Sequence, residues 1–189
     1  MPERISPANV KARLEALIVD ATPIAPILAQ RLDEIRRWIK DKKPGQLASK
    51  PYAMDFLYEL DRDVHVWLSM QGLNAGTRQS LLSHMLPSEQ YWYTELFPRW
   101  INEPDPKLSI WKKKLMAGEF DQKDKAIIND LRDLIDQDGG SSWACYILDL
   151  SMATDLITSG SLEKPLCIQL TTLQGKFTVE KQELWEITL

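Results

Sequence analysis

Cysteine and histidine are scarce in this chain of 189 residues, which has only Cys145, Cys167, His65 and His84. Two thiols cannot make a disulfide framework and are too few for a four-thiolate zinc site, which points to the reducing cytosol. No apolar run approaches the ~20 residues that a membrane span needs. The opening Met1-Pro2-Glu3-Arg4 lacks the apolar stretch of a signal peptide. Glycine-rich phosphate loops, a G-x-S-x-G elbow, internal repeats and low-complexity tracts are missing too. Neither histidine has a second ligand three or four residues away, so no helical metal pair is expected. Asp61, four residues before His65, suits a surface pair instead.

What is present is an ordinary globular balance, 44% apolar and 26% charged. The length suits one domain or a pair of small ones. The net charge of -4 hides an asymmetry. Residues 1–114 hold 17 Lys/Arg against 14 Asp/Glu, whereas residues 115–189 hold 6 against 13. The acidic part does not attract nucleic acid through its mean field, but it can supply carboxylates to a divalent cation.

The first two-thirds reads as successive helices. Ser6-Pro7 is a cap and first helical residue, with Val10, Leu14, Leu17 and Ile18 as the stripe. A second stripe runs from Ile27 to Ile39, and a third, longer one from Phe56 to Leu68, closed by Gly72. Thr77 is expected to cap a short helix. Pro98 is expected to interrupt the helix begun at Ser88. Lys107 to Met116 reads as a short helix, and Asp121 to Gln137 as a clear one ended by Gly139-Gly140. Character then changes: residues 143–158 and 165–172 read as two or three strands around a Gly160-Ser161 turn, before a helix capped by Thr178. The expected fold is α+β: an all-helical region over residues 1–118, then a small mixed sheet of two or three strands flanked by helices over residues 119–189. So small a sheet is marginal alone, and Leu184, Trp185, Ile187 and Leu189 end without a terminator. The pattern therefore favours a continuation past Leu189.

One constellation carries chemistry. Asp155 precedes Leu156-Ile157, and after the turn come Gln169 and Thr171, two apart and so on one face of a strand. Asp149 reads as one strand earlier. Asp130 and Asp133, on the preceding helix, have the reach to approach the same end of the sheet. This order resembles the restriction-endonuclease-like PD-(D/E)xK nuclease superfamily, over about residues 121–189. The resemblance implies a Mg²⁺-dependent phosphodiesterase acting on DNA or RNA, or a degenerate relative that only binds it. It matches Asp155 to the metal-binding aspartate, Gln169 to the (D/E/Q) position and Thr171 to the lysine position. Asp130 or Asp133 would aid the metal, and Lys176 would replace the missing lysine as base, because Thr171 cannot act as one at neutral pH. The same residues also suit a plain core hairpin whose polar groups satisfy the backbone.

Two basic clusters stand outside that motif: Arg36, Arg37, Lys40, Lys42 and Lys43, and Lys112-Lys113-Lys114. Each suits a helix C-terminus, or a phosphate-contacting patch with Trp38 or Trp111 for stacking. The seven tryptophans also support a different reading, a non-enzymatic helical module that presents aromatic residues to a protein partner. Oligomeric state is not legible.

Overall fold

The computed structural model describes residues 5–119, 125–160 and 164–170. Ten α-helices and three strands are found among them: α1 Val10–Ala21, α2 Pro26–Ile39, α3 Pro44–Ala48, α4 Pro51–Gln71, α5 Ala75–Leu82, α6 Pro87–Tyr91, α7 Phe97–Asn102, α8 Leu108–Ala117, α9 Lys125–Gln137 and α10 Tyr146–Met152, with β1 Ser141–Trp143, β2 Leu156–Ser159 and β3 Leu166–Ile168. Four helices (α2, α3, α4 and α6) open on proline, where no N–H is needed. The helical stripes bury as their spacing demands. Phe56, Leu57, Leu60 and Val64 of α4 are wholly enclosed, each contributing roughly 1.5–3 kcal/mol of transfer free energy. Around α4 pack α1, α3, α8 and α10, and α2 lies against α1 and α7.

Local details depart from the pattern. The first helix starts at Val10, because Ser6 accepts from Asn9 N–H in a separate turn. Asn74, not Thr77, caps α5: its Oδ1 accepts the Thr77 N–H at 3.0 Å. Pro98 does not break its helix. A π-helical turn, Trp92–Leu96, joins α6 to α7, and Pro98 falls in the first turn of α7. That passage buries Trp92, Tyr93, Leu96, Phe97 and Trp100.

The sheet has the order β1-β2-β3 and is antiparallel throughout rather than mixed. Its pleat decides what covers each face. Ser141 Oγ accepts from the Ser88 N–H that begins α6, and the next residue, Ser142, takes the Arg132 guanidinium of α9. Successive side chains point to opposite faces, so α6 and α9 lie on opposite sides of the sheet. Gly140 makes the α9–β1 turn this tight: a Cβ there would sit 2.8 Å from Ile135 Cγ2. The buried core is continuous from Val10 through Ile147, Leu148 and Ile157, so it crosses the 118/119 boundary suggested by composition.

Residues 143–158 are not all extended. They hold α10, and Asp149 stands on that helix rather than on a strand. The reason is tertiary. Glu59 of α4 accepts the Tyr146 N–H at 2.8 Å, supplying from outside the cap that the local sequence lacks. The helix ends where Ala153 enters the left-handed region at φ 50°. A side chain there costs about 1 kcal/mol. Ala153→Gly should therefore raise unfolding free energy by about 0.5–1 kcal/mol in urea titrations. An unchanged or lower midpoint would refute that account of the helix end.

Candidate functional site

The β2–β3 register runs Leu156↔Ile168, Ile157↔Cys167 and Thr158↔Leu166. The ladder stops there, and Asp155 and Gln169 flank its last pair at the open end of the hairpin. Asp155 fastens that end. Its N–H donates to the Ile168 carbonyl at 2.9 Å, and its Oδ2 accepts the Leu170 N–H at 2.6 Å. Part of its capacity as a ligand is thus spent on the backbone, as the plain-hairpin reading expects. Thr171 and Lys176, the expected lysine-position residue and base, lie outside the described residues, as does the helix expected from Thr178.

Asp149, half-buried on α10, is the acid whose charge interacts with that of Asp155. Burial pushes its carboxyl up from 3.8 to about 6, and the charge of Asp155 adds to the rise, while Lys107 and Lys114 oppose it. Asp130 and Asp133 are both exposed on α9. Among the described residues no group of three or more His, Cys, Asp or Glu side chains is placed to hold a metal ion, so neither aspartate joins such a group. A pair of carboxylates still fits Mg²⁺, which usually keeps several waters and binds through one or two carboxylates.

A strap ties α8 to α10. Asp105 Oδ2 accepts both Ser151 Oγ of α10, at 2.6 Å, and Trp111 Nε1 of α8, at 3.0 Å. Its Oδ1 caps the Lys107 N–H at 2.9 Å. Sequence reasoning missed this contribution, since Asp105 and Ser151 are 46 residues apart and no spacing rule connects them.

The remaining candidates resolve into structural roles. Asp61 is buried and bonds Arg13 at 2.6 Å, and the same arginine meets His65 Nδ1 at 3.2 Å, so the expected Asp61–His65 pair is bridged rather than direct. His84 stands in the turn just past α5, not on a helix, and its Nδ1 lies on the Ser80 carbonyl of α5. Cys145 precedes α10 instead of standing in a strand, and burial pushes its thiol well up, which suits a filler and not a nucleophile. Trp111 is 2% exposed and packs edge-on against Trp38, so it is no stacking platform. A buried polar cluster lies beneath α10. Asp63 accepts from Arg62 Nε at 2.8 Å, and from Trp92 Nε1 and Tyr93 OH at 3.1 Å each, and Arg62 lies 4.9 Å over the Trp143 ring.

Comparison with known proteins gives no match to any family model, curated protein or solved structure. No helix among the described residues is long and apolar enough to cross a membrane.

Proposed function

We propose that the chain is a nuclease-like protein that engages the phosphodiester backbone of nucleic acid at the end of the β2–β3 hairpin, with Asp155 and Asp149 as holders of Mg²⁺. The observation that carries this reading is the half-buried Asp149 carboxyl, pushed up first by burial and then by the charge of Asp155, which stands at the hairpin end where it accepts the Leu170 N–H. Two anions sharing a half-buried end favour a divalent cation between them. Bound there, Mg²⁺ would supply charge stabilisation to a phosphoryl oxygen and acidify water. The chain's own part is to hold the ion through Asp149 and Asp155 and to place Gln169 at the same open end.

The test is Mn²⁺ binding, read by paramagnetic relaxation, alongside Mg²⁺-dependent cleavage of plasmid and oligonucleotide. Asp155→Asn keeps an acceptor for the Leu170 N–H, so the fold should survive while ion binding and cleavage are lost. Retained Mn²⁺ binding in Asp155→Asn overturns the assignment. A second expectation concerns pH. Asp149 binds a cation only when ionised, so affinity should fall about tenfold per pH unit below about 6. A flat profile from pH 5 to 8 would remove Asp149 from the site.

The other reading, a protein-binding module, draws on α9. Its apolar stripe leaves Ile127 and Leu134 at least half exposed. The aromatic presentation first expected is not its basis, because Trp92, Trp100 and Trp111 are core residues.

A further inference from the structure

The apolar stripe of α9 is only half covered by the fold. Ile128, Leu131, Arg132 and Ile135 are half-buried and mark the side that lies on β1, where Arg132 Nε donates to Ser142 Oγ at 3.3 Å. At about 100° per residue, Ile127 and Leu134 fall about 40–60° from Leu131, on the flank away from Arg132. They are 50% and 58% exposed, and no residue of α9 is fully buried. A surface helix with so clear a stripe ordinarily sinks it into a core. The same side of the sheet is open at its far strand. Ser142 pairs with Thr158 and Thr158 with Leu166, so all three side chains point to the α9 side, and Leu166 is 62% exposed. The rim of the α9 strip is acidic. Asp130 comes next around the helix from Ile127 and Leu134, about 40–60° further on, with Asp133 beyond it. Asp138 follows Leu134 by one turn, its N–H donating to the Leu134 carbonyl at 3.1 Å. All three aspartates are exposed, and among the described residues no cation is paired with any of them. Lys125 and Arg132 stand on the opposite flank of the helix.

We infer that the Ile127, Leu131 and Leu134 strip of α9 docks a basic amphipathic helix of a partner protein, whose Lys or Arg side chains meet Asp130, Asp133 and Asp138. This rests on the protein-binding reading of α9, names the chemistry of its partner and makes no use of the cation site. Anchors at i, i+4 and i+7 are the spacing by which one helix packs on another. Charge selects the occupant. Helices that lie in a membrane interface carry Lys and Arg on the polar face, whereas this one carries aspartate, which anionic lipid and nucleic acid both repel. A second copy is also a poor fit. A two-fold axis that sets Ile127 against Leu134 of the other copy brings the two Asp130 side chains together beside the axis. Residues 171–189 hold three Glu against two Lys, so that segment lacks the complementary charge.

The experiment measures binding of two fluorescein-labelled 15-residue helical peptides to the full chain, by anisotropy at 50 mM salt. Both carry Leu at heptad positions a and d; one has Lys and Ala elsewhere, the other Glu and Ala. The Lys peptide should bind at least about tenfold more tightly than the Glu peptide. Ile127→Ser/Leu134→Ser, at exposed positions, should weaken it at least about tenfold with an unchanged urea midpoint. Asp130→Lys/Asp133→Lys should reverse the preference between the peptides. The control Asp20→Lys/Asp41→Lys makes the same charge change at exposed positions elsewhere and should leave that preference unchanged. Equal binding of both peptides, full binding by Ile127→Ser/Leu134→Ser, or reversal by the control overturns the docking site. Binding of neither peptide overturns the protein-binding reading with it, whereas preference for the Glu peptide overturns the basic partner alone. Three other results assign the strip to a different occupant and also overturn the inference. These are partition into phosphatidylserine vesicles that Ile127→Ser/Leu134→Ser abolishes, a dimer in sedimentation velocity lost in that variant, and Lys-peptide binding that is seen only in Leu184→Ser/Trp185→Ser.

Discussion

Asp63→Ala should lower unfolding free energy by about 3–5 kcal/mol, the cost of leaving a partner charge buried without its counter-ion. Asp63 is 0% exposed and stands where α4, the π-helical turn and the Arg62–Trp143 contact meet. Burial pushes its carboxyl up, while Arg62, Tyr93 and Trp92 pull it down. Alanine would leave the Trp92 N–H and Tyr93 O–H without their acceptor and Arg62 without its counter-charge. Asp63→Asn retains acceptor capacity and should cost less, though Arg62 still loses its neutralising partner. Urea denaturation at pH 7 measures both. A loss below 1 kcal/mol for Asp63→Ala would mean that this network contributes little to joining the helices to the sheet.

The second large effect has the opposite sign. Glu59 is half-buried at the start of α10, and burial pushes its carboxyl from 4.5 up to about 7, against the Tyr146 N–H bond and Arg62 that pull it down. Below pH 4.5 the group is protonated in both the folded and unfolded chain, so it imposes no penalty. Between about 4.5 and 7 the unfolded chain gives up its proton first, and folded stability declines. Above 7 the loss is complete, at about 3 kcal/mol from ~1.4 kcal/mol per unit. Glu59→Gln keeps an oxygen for the Tyr146 N–H and removes the buried charge. The variant should match the parent near pH 4 and exceed it by up to about 3 kcal/mol at pH 8. A shallower decline should persist between about 3.8 and 6 from Asp149, whose carboxyl is raised in the same direction. Equal destabilisation of Glu59→Gln at both pH values would sink this account.

Both positions show where sequence reading stops. Glu59 and Asp63 occupy the stripe-bearing helix α4, yet nothing in their local spacing marks them as buried. Only the approach of Tyr146, 87 positions later, makes Glu59 a cap acceptor, and only that of Trp92 and Tyr93 gives the buried Asp63 its neutral donors. The α10 segment carries the same lesson. Its composition, Tyr-Ile-Leu-Asp-Leu-Ser-Met, suits strand or helix, and the Glu59 carboxylate tips it to helix.

Hydrophobic periodicity and prolines alone determined the helical region, the existence of α9 and its glycine stop, and a short hairpin around residue 160. These signals act over a few residues, within the reach of the backbone itself. Tertiary structure decided that Asp149 rides on a helix, that Asp105 straps α8 to α10, and that Lys112 bonds Glu34 of the remote helix α2. Those outcomes depend on which surfaces meet. A one-dimensional pattern shows that a face is apolar or charged but does not name what will cover it.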